Sequence, residues 1–395
     1  MEGDARSLIQ DELDRMIANL KGVQGYEPGV RVIAAMSGGI DSSVMAALLH
    51  MAGFQVVGVS MKLFDKGGEG SRADSAGRCC TLDDFQDARR VAHRMGFDHY
   101  VMDFGERFRR DVMDPFLVSY LAGETPSPCI LCNKHLKFDA LFRTTDELEA
   151  RFVATGHYAK IHLDEQGFHL RKASDLSKDQ SYFLFPHTQS TLARTLFPLE
   201  SIPKSTVRGM ARHLKLGLEE KPESQEICFV PDDRYDRFIE ASGKAPRLEA
   251  GPIRHVADGA ILGQHQGYWR FTIGQRKGLG VAFSHPLYVI RTDPGTNTVW
   301  VGEDDLLLGS ELIAREVSWC LGPPDRSITC SARLRSRSAE VPATLELLAP
   351  ARVRVLFESP QRAITPGQAV VFYQGDEVLG GGWICLLYTS DAADE

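Results

Sequence analysis

The sequence predicts an α/β protein: a parallel sheet covered by helices over residues 30–215, a small central domain at 216–285 and an antiparallel β-barrel at 286–384. Three observations carry this. From residue 30, short apolar runs alternate with amphipathic stretches, the pattern of parallel strands joined by crossover helices. Residues 216–285 are rich in glycine and short of helical periodicity. From about residue 286, strand-like runs are separated by turn signals at DPGTN (293–297), GPP (322–324), TPG (365–367) and QGD (374–376), which suits a small barrel.

Taken in order, residues 1–29 read as a polar, helix-prone N-terminal extension without a motif. RVIAAM (31–36) is a buried strand, 41–52 is helical, and QVVGVSM (55–61) is a second strand. Helical periodicity follows at 83–95 and 106–121, with HYVM (99–102) and RFVATG (151–156) as further strands; helical patterning continues to about residue 215. After LGGGWI (379–384), the run CLLYTSDAADE matches neither a strand nor a capped helix. Residues 385–395, Cys385 included, are set aside as a non-native tail.

Composition narrows the function classes. Hydrophobic residues make up 43% and charged residues 25%, so a sizeable core is possible and disorder is not expected. No run of 18 apolar residues exists, and the start MEGDARSLIQDELD is acidic where a signal peptide would be basic and then apolar. Eight cysteines with a single CxxC fit a reducing compartment, so the expectation is a cytoplasmic protein without a membrane partner. The net charge of −8 excludes a globally basic nucleic-acid binder, and no DNA partner is expected. Three windows are nonetheless basic: 259–292 (Arg270, Arg276, Lys277, Arg291), 201–215 (Lys204, Arg208, Arg212, Lys215) and 331–338 (SARLRSRS) contain no acid. Any one is ordinarily solvated surface; three together point to a polyanionic partner.

The sharpest motif is SGGIDSS (37–43), between a buried strand and a helix. Two glycines let the backbone approach an anion, and the helix-start amides point at it. Ser37, Ser42 and Ser43 add hydroxyl donors, and Asp41 can hold Mg²⁺ or cap the helix. No GxxxxGK[ST] is present. The motif resembles the PP-loop of ATP pyrophosphatases, which release pyrophosphate and leave AMP on the substrate. That resemblance implies that Ala35, Met36, Ser37, Gly38, Gly39, Ile40, Asp41 and Ser42 line the phosphates of ATP, with Met61 and Gly156 near the adenine.

The cysteines come next. In TPSPCILCNKHLKF (125–138), Cys129 and Cys132 are spaced for a metal, a redox pair or a cluster, and Lys134, His135 and Lys137 form a basic flank that favours a thiolate. Cys228 lies in PESQEICFVP (222–231), on a loop by its flanking prolines. Adjacent Cys79 and Cys80 make a poor chelate, and Cys320 and Cys330 read as small core residues. CxxC alone suits structural zinc, but no second CxxC or HxxxH completes such a site. A PP-loop with a CxxC and one distant Cys suggests sulfur transfer instead.

Over about residues 30–384 the chain resembles the tRNA-specific 2-thiouridylases. The matching segments are AMSGGIDSS (35–43), LCNKHLKF (131–138), ATGHY (154–158), SKDQSYFLF (177–185), ICF (227–229), GQHQG (263–267), TIGQRKGLG (272–280), TPGQ (365–368) and LGGGW (379–383). The resemblance implies a PP-loop domain, a small central domain and a C-terminal barrel acting on tRNA. It makes Cys132 the nucleophile and Cys228 the persulfide carrier, with Lys178, Asp179, Gln180, His157 and Gln368 as tRNA contacts and 127–129 meeting the target base. Two departures stand out. Many relatives have Asn-Pro-Asp where this chain has Ser127, Pro128 and Cys129, which removes a candidate base and makes a three-cysteine cluster easier. The family's Arg-Tyr pair in the barrel is Arg335-Ser336 here, which loses a stacking surface.

The implied chemistry is adenylation of the 2-oxo group of a wobble uridine by ATP and Mg²⁺, followed by sulfur attack. Two accounts of the sulfur stay open: a Cys228 persulfide resolved by Cys132 as a disulfide, or sulfide on a [4Fe–4S] cluster held by Cys129, Cys132 and Cys228. Either needs tRNA and a sulfur-donor or sulfur-relay protein as partners. A PP-loop amide ligase acting on a small molecule, and a non-catalytic tRNA-binding protein, are the competing function classes. The ligase would need neither two separated cysteine regions nor a basic barrel.

Overall fold

The computed structural model describes residues 2–64, 81–221, 227–230, 234–245 and 249–385, with side chains from residue 7 onward. Cys79, Cys80 and the tail 386–395 lie outside the described residues. The chain forms two compact units: Met1–Val112 with Cys129–Phe229 and Asp376–Val378, and Met113–Pro128 with Val230–Gly375 and Leu379–Glu395.

The first unit is built on five parallel strands: β1 (Arg31–Ala35), β2 (Gln55–Lys62), β3 (Asp98–Asp103), β4 (Phe152–Ala154) and, after the hairpin β5 (Ala159–Asp164) and β6 (Gly167–Lys172), β7 (Thr195–Leu196). Their order is β3-β2-β1-β4-β7. The expected parallel sheet is therefore present, with β1 at its centre and apolar on both faces. The hairpin β5–β6 was not expected: helical patterning fails between 159 and 172, where the strands pair from Ala159↔Lys172 to Asp164↔Gly167.

Helix α1 (Glu2–Lys21) is not a detached extension. Its apolar residues Ile9, Leu13, Met16, Ile17 and Leu20 recur at helical spacing, and Leu13, Met16 and Leu20 are buried in the same core as β1 and α2 (Ile40–Met51). At about 1.5–3 kcal/mol per buried side chain, these three bind α1 firmly to the unit. α3 (Leu82–Met95) starts with a Thr81–Asp84 capping box and ends at Gly96 in the left-handed region.

The second unit holds two sheets. One has four strands, β8 (Gly251–His255), β9 (Ile261–His265), β10 (Tyr288–Asp293) and β11 (Thr298–Gly302), in the order β10-β11-β8-β9. β11 runs parallel to β8, so β10 and β11 belong with the central segment and not with the barrel, and a boundary at 285 would cut this sheet. The barrel comprises β12 (Leu308–Trp319), β13 (Ile328–Arg333), β14 (Val341–Ala349), β15 (Arg352–Arg362), β16 (Ala369–Gln374) and β17 (Glu377–Cys385). These are antiparallel in the order β12-β15-β14-β13-β16-β17, closed by β12 against β17. Closure removes both edges, and Leu312, Val353, Val355, Val370 and Phe372 fill the interior. Cys385 is the last residue of β17, opposite Ile313, so it is a strand residue and not part of a tail.

Candidate functional site

The phosphate loop is the turn from β1 into α2. Met36 N–H donates to the Val59 carbonyl (2.8 Å), which carries strand geometry up to Ser37. Gly38 has φ +74°, and a Cβ there would stand 2.2 Å from the Asp84 carbonyl oxygen, so glycine is required twice over. Gly39 is the N-cap of α2 and supplies no side-chain cap. Ser42 Oγ turns back into the loop, accepting from Ser37 N–H (3.1 Å) and donating to the Gly39 carbonyl (3.1 Å). Ser43, expected as a third hydroxyl donor, is instead fully buried. Gly156 lies against this helix start: a Cβ on it would be 2.9 Å from Ser42 N. Met61 sits at the carboxyl end of β2, opposite Met102 on β3. Thus the residues expected at the nucleotide converge at the carboxyl end of the central strands, where α/β sheets bind ligands.

Asp41 does not cap the helix. Both its carboxylate oxygens accept from Lys204 Nζ, at 2.6 and 2.5 Å, and Oδ1 also accepts from Tyr158 O–H (2.8 Å). Lys204 begins the helix Lys204–His213, and its side chain is 12% exposed. It therefore belongs to the loop and not to an outward basic window. A second lysine, Lys221, donates to the Gly38 carbonyl (3.0 Å) and pairs with Asp84 (2.6 Å) and Asp87 (2.5 Å) of α3. Burial lowers its pKa, but the hydrogen bonds to Asp84 and Asp87 outweigh it and the ammonium ends raised. Sequence reading missed Lys221, Asp84 and Asp87 as site residues, and noted Lys204 only within a basic window and Tyr158 only within ATGHY, with no role at the loop for either.

The CxxC lies on the short helix Pro128–Cys132, which runs into a π-helical turn, Asn133–Phe138. Cys129 is exposed and Cys132 half-buried, three residues apart and so on one side of the helix. Cys228 is half-buried beside Phe229, whose ring packs edge-on to Phe108 at 5.5 Å. All three cysteines lie in the first unit with the loop. Among the described residues no three Cys, His, Asp or Glu side chains come together as a metal site. The three-cysteine cluster does not fit this arrangement. The basic flank is partly engaged: Lys137 Nζ donates to His157 Nε2 (3.3 Å), and His135 pairs with Asp139 (3.3 Å). Cys320 is buried, and burial pushes the Cys330 thiol up to about 12, as befits core cysteines.

The residues expected on tRNA divide into inward and outward sets. His157 is 7% exposed, with Nδ1 hydrogen-bonded to Thr155 Oγ1 (2.8 Å) and Phe138 and Phe197 packed around the ring. Burial, then Lys137 and His187, hold its pKa well below the ordinary value. A direct tRNA contact does not fit this placement; the imidazole is a neutral core group. Asp179 also faces inward, accepting from the N–H groups of Ala173 (3.1 Å) and Ser181 (3.2 Å) and from Ser181 O–H (2.8 Å). Gln180 Oε1 accepts from Tyr158 N–H (2.9 Å), bracing the tyrosine that holds Asp41. Lys178 is half-buried. In the second unit, Gln368 Nε2 donates to the Thr125 carbonyl (2.8 Å), fixing the segment that leads to Ser127 and Pro128. Arg335 is exposed and anchored to the Ala363 carbonyl (3.0 Å), next to half-buried Ser336.

The basic windows are sorted the same way. Arg270 pairs with Glu240 (2.6 Å), Arg333 with Glu340 (2.7 Å), and Arg291 lies over the Trp300 ring at 4.5 Å. Arg212, Lys215, Arg276, Lys277 and Arg337 are exposed. Among the described residues, no helix is long and apolar enough to cross a membrane.

Three family models match in succession: a tRNA methyl transferase HUP domain over residues 30–232, a tRNA methyl transferase PRC-barrel domain over 238–303, and an aminomethyltransferase beta-barrel domain over 309–384. The tRNA-specific 2-thiouridylase MnmA of Geobacter metallireducens is 48% identical over 359 residues, covering 90% of this chain and 96% of its own. That of Solibacter usitatus is 47% identical over 90% of this chain and 100% of its own. Among solved structures, the U34-tRNA thiolase NcsA from Methanococcus maripaludis with its [4Fe-4S] cluster aligns over 60% of this chain and 72% of its own, at 20% identity and a TM-score of 0.37. With relatives this similar over nine-tenths of its length, and a phosphate loop and two cysteine segments in one unit, the chain belongs to the tRNA-specific 2-thiouridylase MnmA family.

Proposed function

We propose that this ATP-dependent tRNA sulfurtransferase activates the 2-oxo group of the wobble uridine as an adenylate and replaces it with sulfur carried on Cys228. The supporting observation is that the phosphate loop, Cys132 and Cys228 fold within one unit. ATP lies along Ala35–Ser42, its phosphates facing the amides at the start of α2. Attack of the uracil 2-oxo oxygen on the α-phosphorus forms the O–P bond and expels pyrophosphate. Asp41 would hold Mg²⁺ through the lone pairs that Lys204 and Tyr158 leave open, which suits an ion that keeps most of its ligands as water and phosphate. When bound, the ion neutralises charge on pyrophosphate.

The sulfur step balances without a metal. The outer sulfur of the Cys228 persulfide attacks C2, forming C–S and expelling AMP. The Cys132 thiolate then attacks Cys228 Sγ, breaking the S–S bond, releasing 2-thiouridine and leaving a Cys132–Cys228 disulfide. An external dithiol reduces that disulfide, and a sulfur-donor or relay protein reloads Cys228. The target base leaves its stack to react. Lys178, Arg335, Arg276 and Lys277 supply cationic contacts to the tRNA backbone.

The test is nucleoside mass spectrometry of tRNA after reaction with ATP, Mg²⁺ and a persulfide donor. The expected result is 2-thiouridine with one AMP and one pyrophosphate per thiolation. Pyrophosphate release that ignores tRNA, with no thiolated nucleoside, would instead point to an amide ligase.

A further inference from the structure

We infer that Lys221 is a positioning residue for the adenylation half-reaction, holding the phosphate loop in its anion-receiving form through the Gly38 carbonyl. The inference rests on the ATP site proposed above. An ammonium has three protons, and Lys221 has a partner for each: the Gly38 carbonyl at 3.0 Å, Asp84 at 2.6 Å and Asp87 at 2.5 Å. The acids are themselves fixed. Asp84 is 8% exposed and accepts at Oδ2 from both the N–H and the hydroxyl of Thr81 (2.7 Å each), as part of the α3 capping box. Asp87 is 11% exposed and also pairs with Arg90.

The consequence falls on one peptide. In a trans peptide the C=O and N–H point in opposite directions, so anchoring the Gly38 carbonyl on Lys221 aims the Gly39 N–H away from it. A peptide between two glycines flips more readily than any other, because no Cβ opposes either orientation. Flipped, it would present a carbonyl oxygen to the triphosphate instead of a donor. Lys221 removes that freedom, and Gly38 lies so near the first turn of α3 that a Cβ there would stand 2.2 Å from the Asp84 carbonyl oxygen.

Lys221→Met alone removes the cation shared by buried Asp84 and Asp87, leaving their mutual repulsion opposed by Arg90 at Asp87, and will lower the thermal midpoint. Lys221→Met with Asp87→Asn removes that repulsion but still lacks a donor for Gly38, so folding and ATP binding can be read separately. ATP affinity by calorimetry, thermal midpoint and tRNA affinity are measured on wild type and both variants. The expected outcome is that the double variant regains most of the thermal midpoint, keeps wild-type tRNA affinity, and binds ATP about tenfold or more weakly, the effect of losing one charge-assisted hydrogen bond. ATP affinity that recovers together with the midpoint would overturn the inference and leave Lys221 a charge neutraliser. Wild-type protein that binds ATP but never thiolates tRNA would refute the proposed function without touching this one.

Discussion

Gly156→Ala tests how tightly the ATGHY segment is packed on the phosphate loop. The added Cβ would lie 2.9 Å from Ser42 N, 3.0 Å from Asp41 C and 3.2 Å from Asp41 Cβ, where ordinary contact begins at 3.4 Å. The shortfall is about half an ångström against backbone, which cannot rotate aside as a side chain can. Overpacking of this kind costs about 1–3 kcal/mol. If the first turn of α2 moves to relieve it, the cost appears in ATP binding as a rise in Kd of about 5- to 150-fold, at 1.4 kcal/mol per decade. Isothermal titration with a non-hydrolysable ATP analogue, beside a thermal melt and tRNA binding, reads the three quantities. The expected pattern is weakened nucleotide, a modest drop in midpoint and unchanged tRNA affinity. An unchanged Kd with an unchanged midpoint would show that Gly156 does not constrain the loop.

Gly39→Ala is the complementary case: its Cβ would meet nothing closer than Ser37 Oγ at 3.5 Å, so the fold should tolerate it while ATP binding weakens because the methyl occupies phosphate space; equal ATP affinity would argue that the phosphates lie elsewhere. Neutralising Arg276 and Lys277 together should weaken tRNA binding and flatten its salt dependence by about two counterions, and an unaltered salt slope would return both to ordinary surface. Cys129→Ser should keep much of the thiolation activity while Cys132→Ser and Cys228→Ser abolish it; equal loss in all three, with iron in anaerobically purified protein, would revive the cluster account. For pH, burial first and Arg89 second lower His99 to about 4, so its neutral form contributes stability above about pH 6.5 that is lost as pH falls through 4. His169 has the opposite sign: burial lowers its pKa, but Glu377 and Asp164 outweigh this and raise it, so its contribution is present below about pH 6.5 and lost as pH rises through the raised value. Melts of His99→Asn and His169→Gln against pH check both, and a wild-type pH profile in either variant counts against the corresponding assignment.

The parallel sheet was legible because its strands are buried on both faces and so read as unbroken apolar runs, as β1 does. The β5–β6 hairpin was legible only in part: Ala159, Ile161 and Leu163 alternate with Lys160, His162 and Asp164 as a half-buried strand does, but the run is short and Glu165-Gln166 is not a characteristic hairpin turn. The membership of β10 and β11 was hidden for another reason. Antiparallel strands look alike in sequence, and what assigns this pair to the central sheet is the pairing of Val299 with Ile253, more than forty residues earlier. At the site, the loop glycines and the cysteines were readable because the chemistry restricts residue type at adjacent positions. Lys204 and Lys221 were not, since nothing in their own neighbourhoods names Asp41 or Gly38 as a partner.

Lys204 also explains why counting charges along the chain misjudged the basic surface. A window free of acids records only that no acid is close in sequence. The acid that engages Lys204 is Asp41, 163 residues away, and the acid that engages Arg270 is Glu240, thirty residues away. Folding thus turns part of each basic window inward and leaves Arg212, Lys215, Arg276, Lys277 and Arg337 exposed. The same pairing acts on the acids. Asp41, Asp84 and Asp87 are held by lysines at 2.5–2.6 Å, so their charge is compensated where a triphosphate has to approach. An acidic chain with a net charge of −8 can therefore receive two polyanions, a nucleotide and a tRNA, because its carboxylates nearest the phosphate loop are already paired.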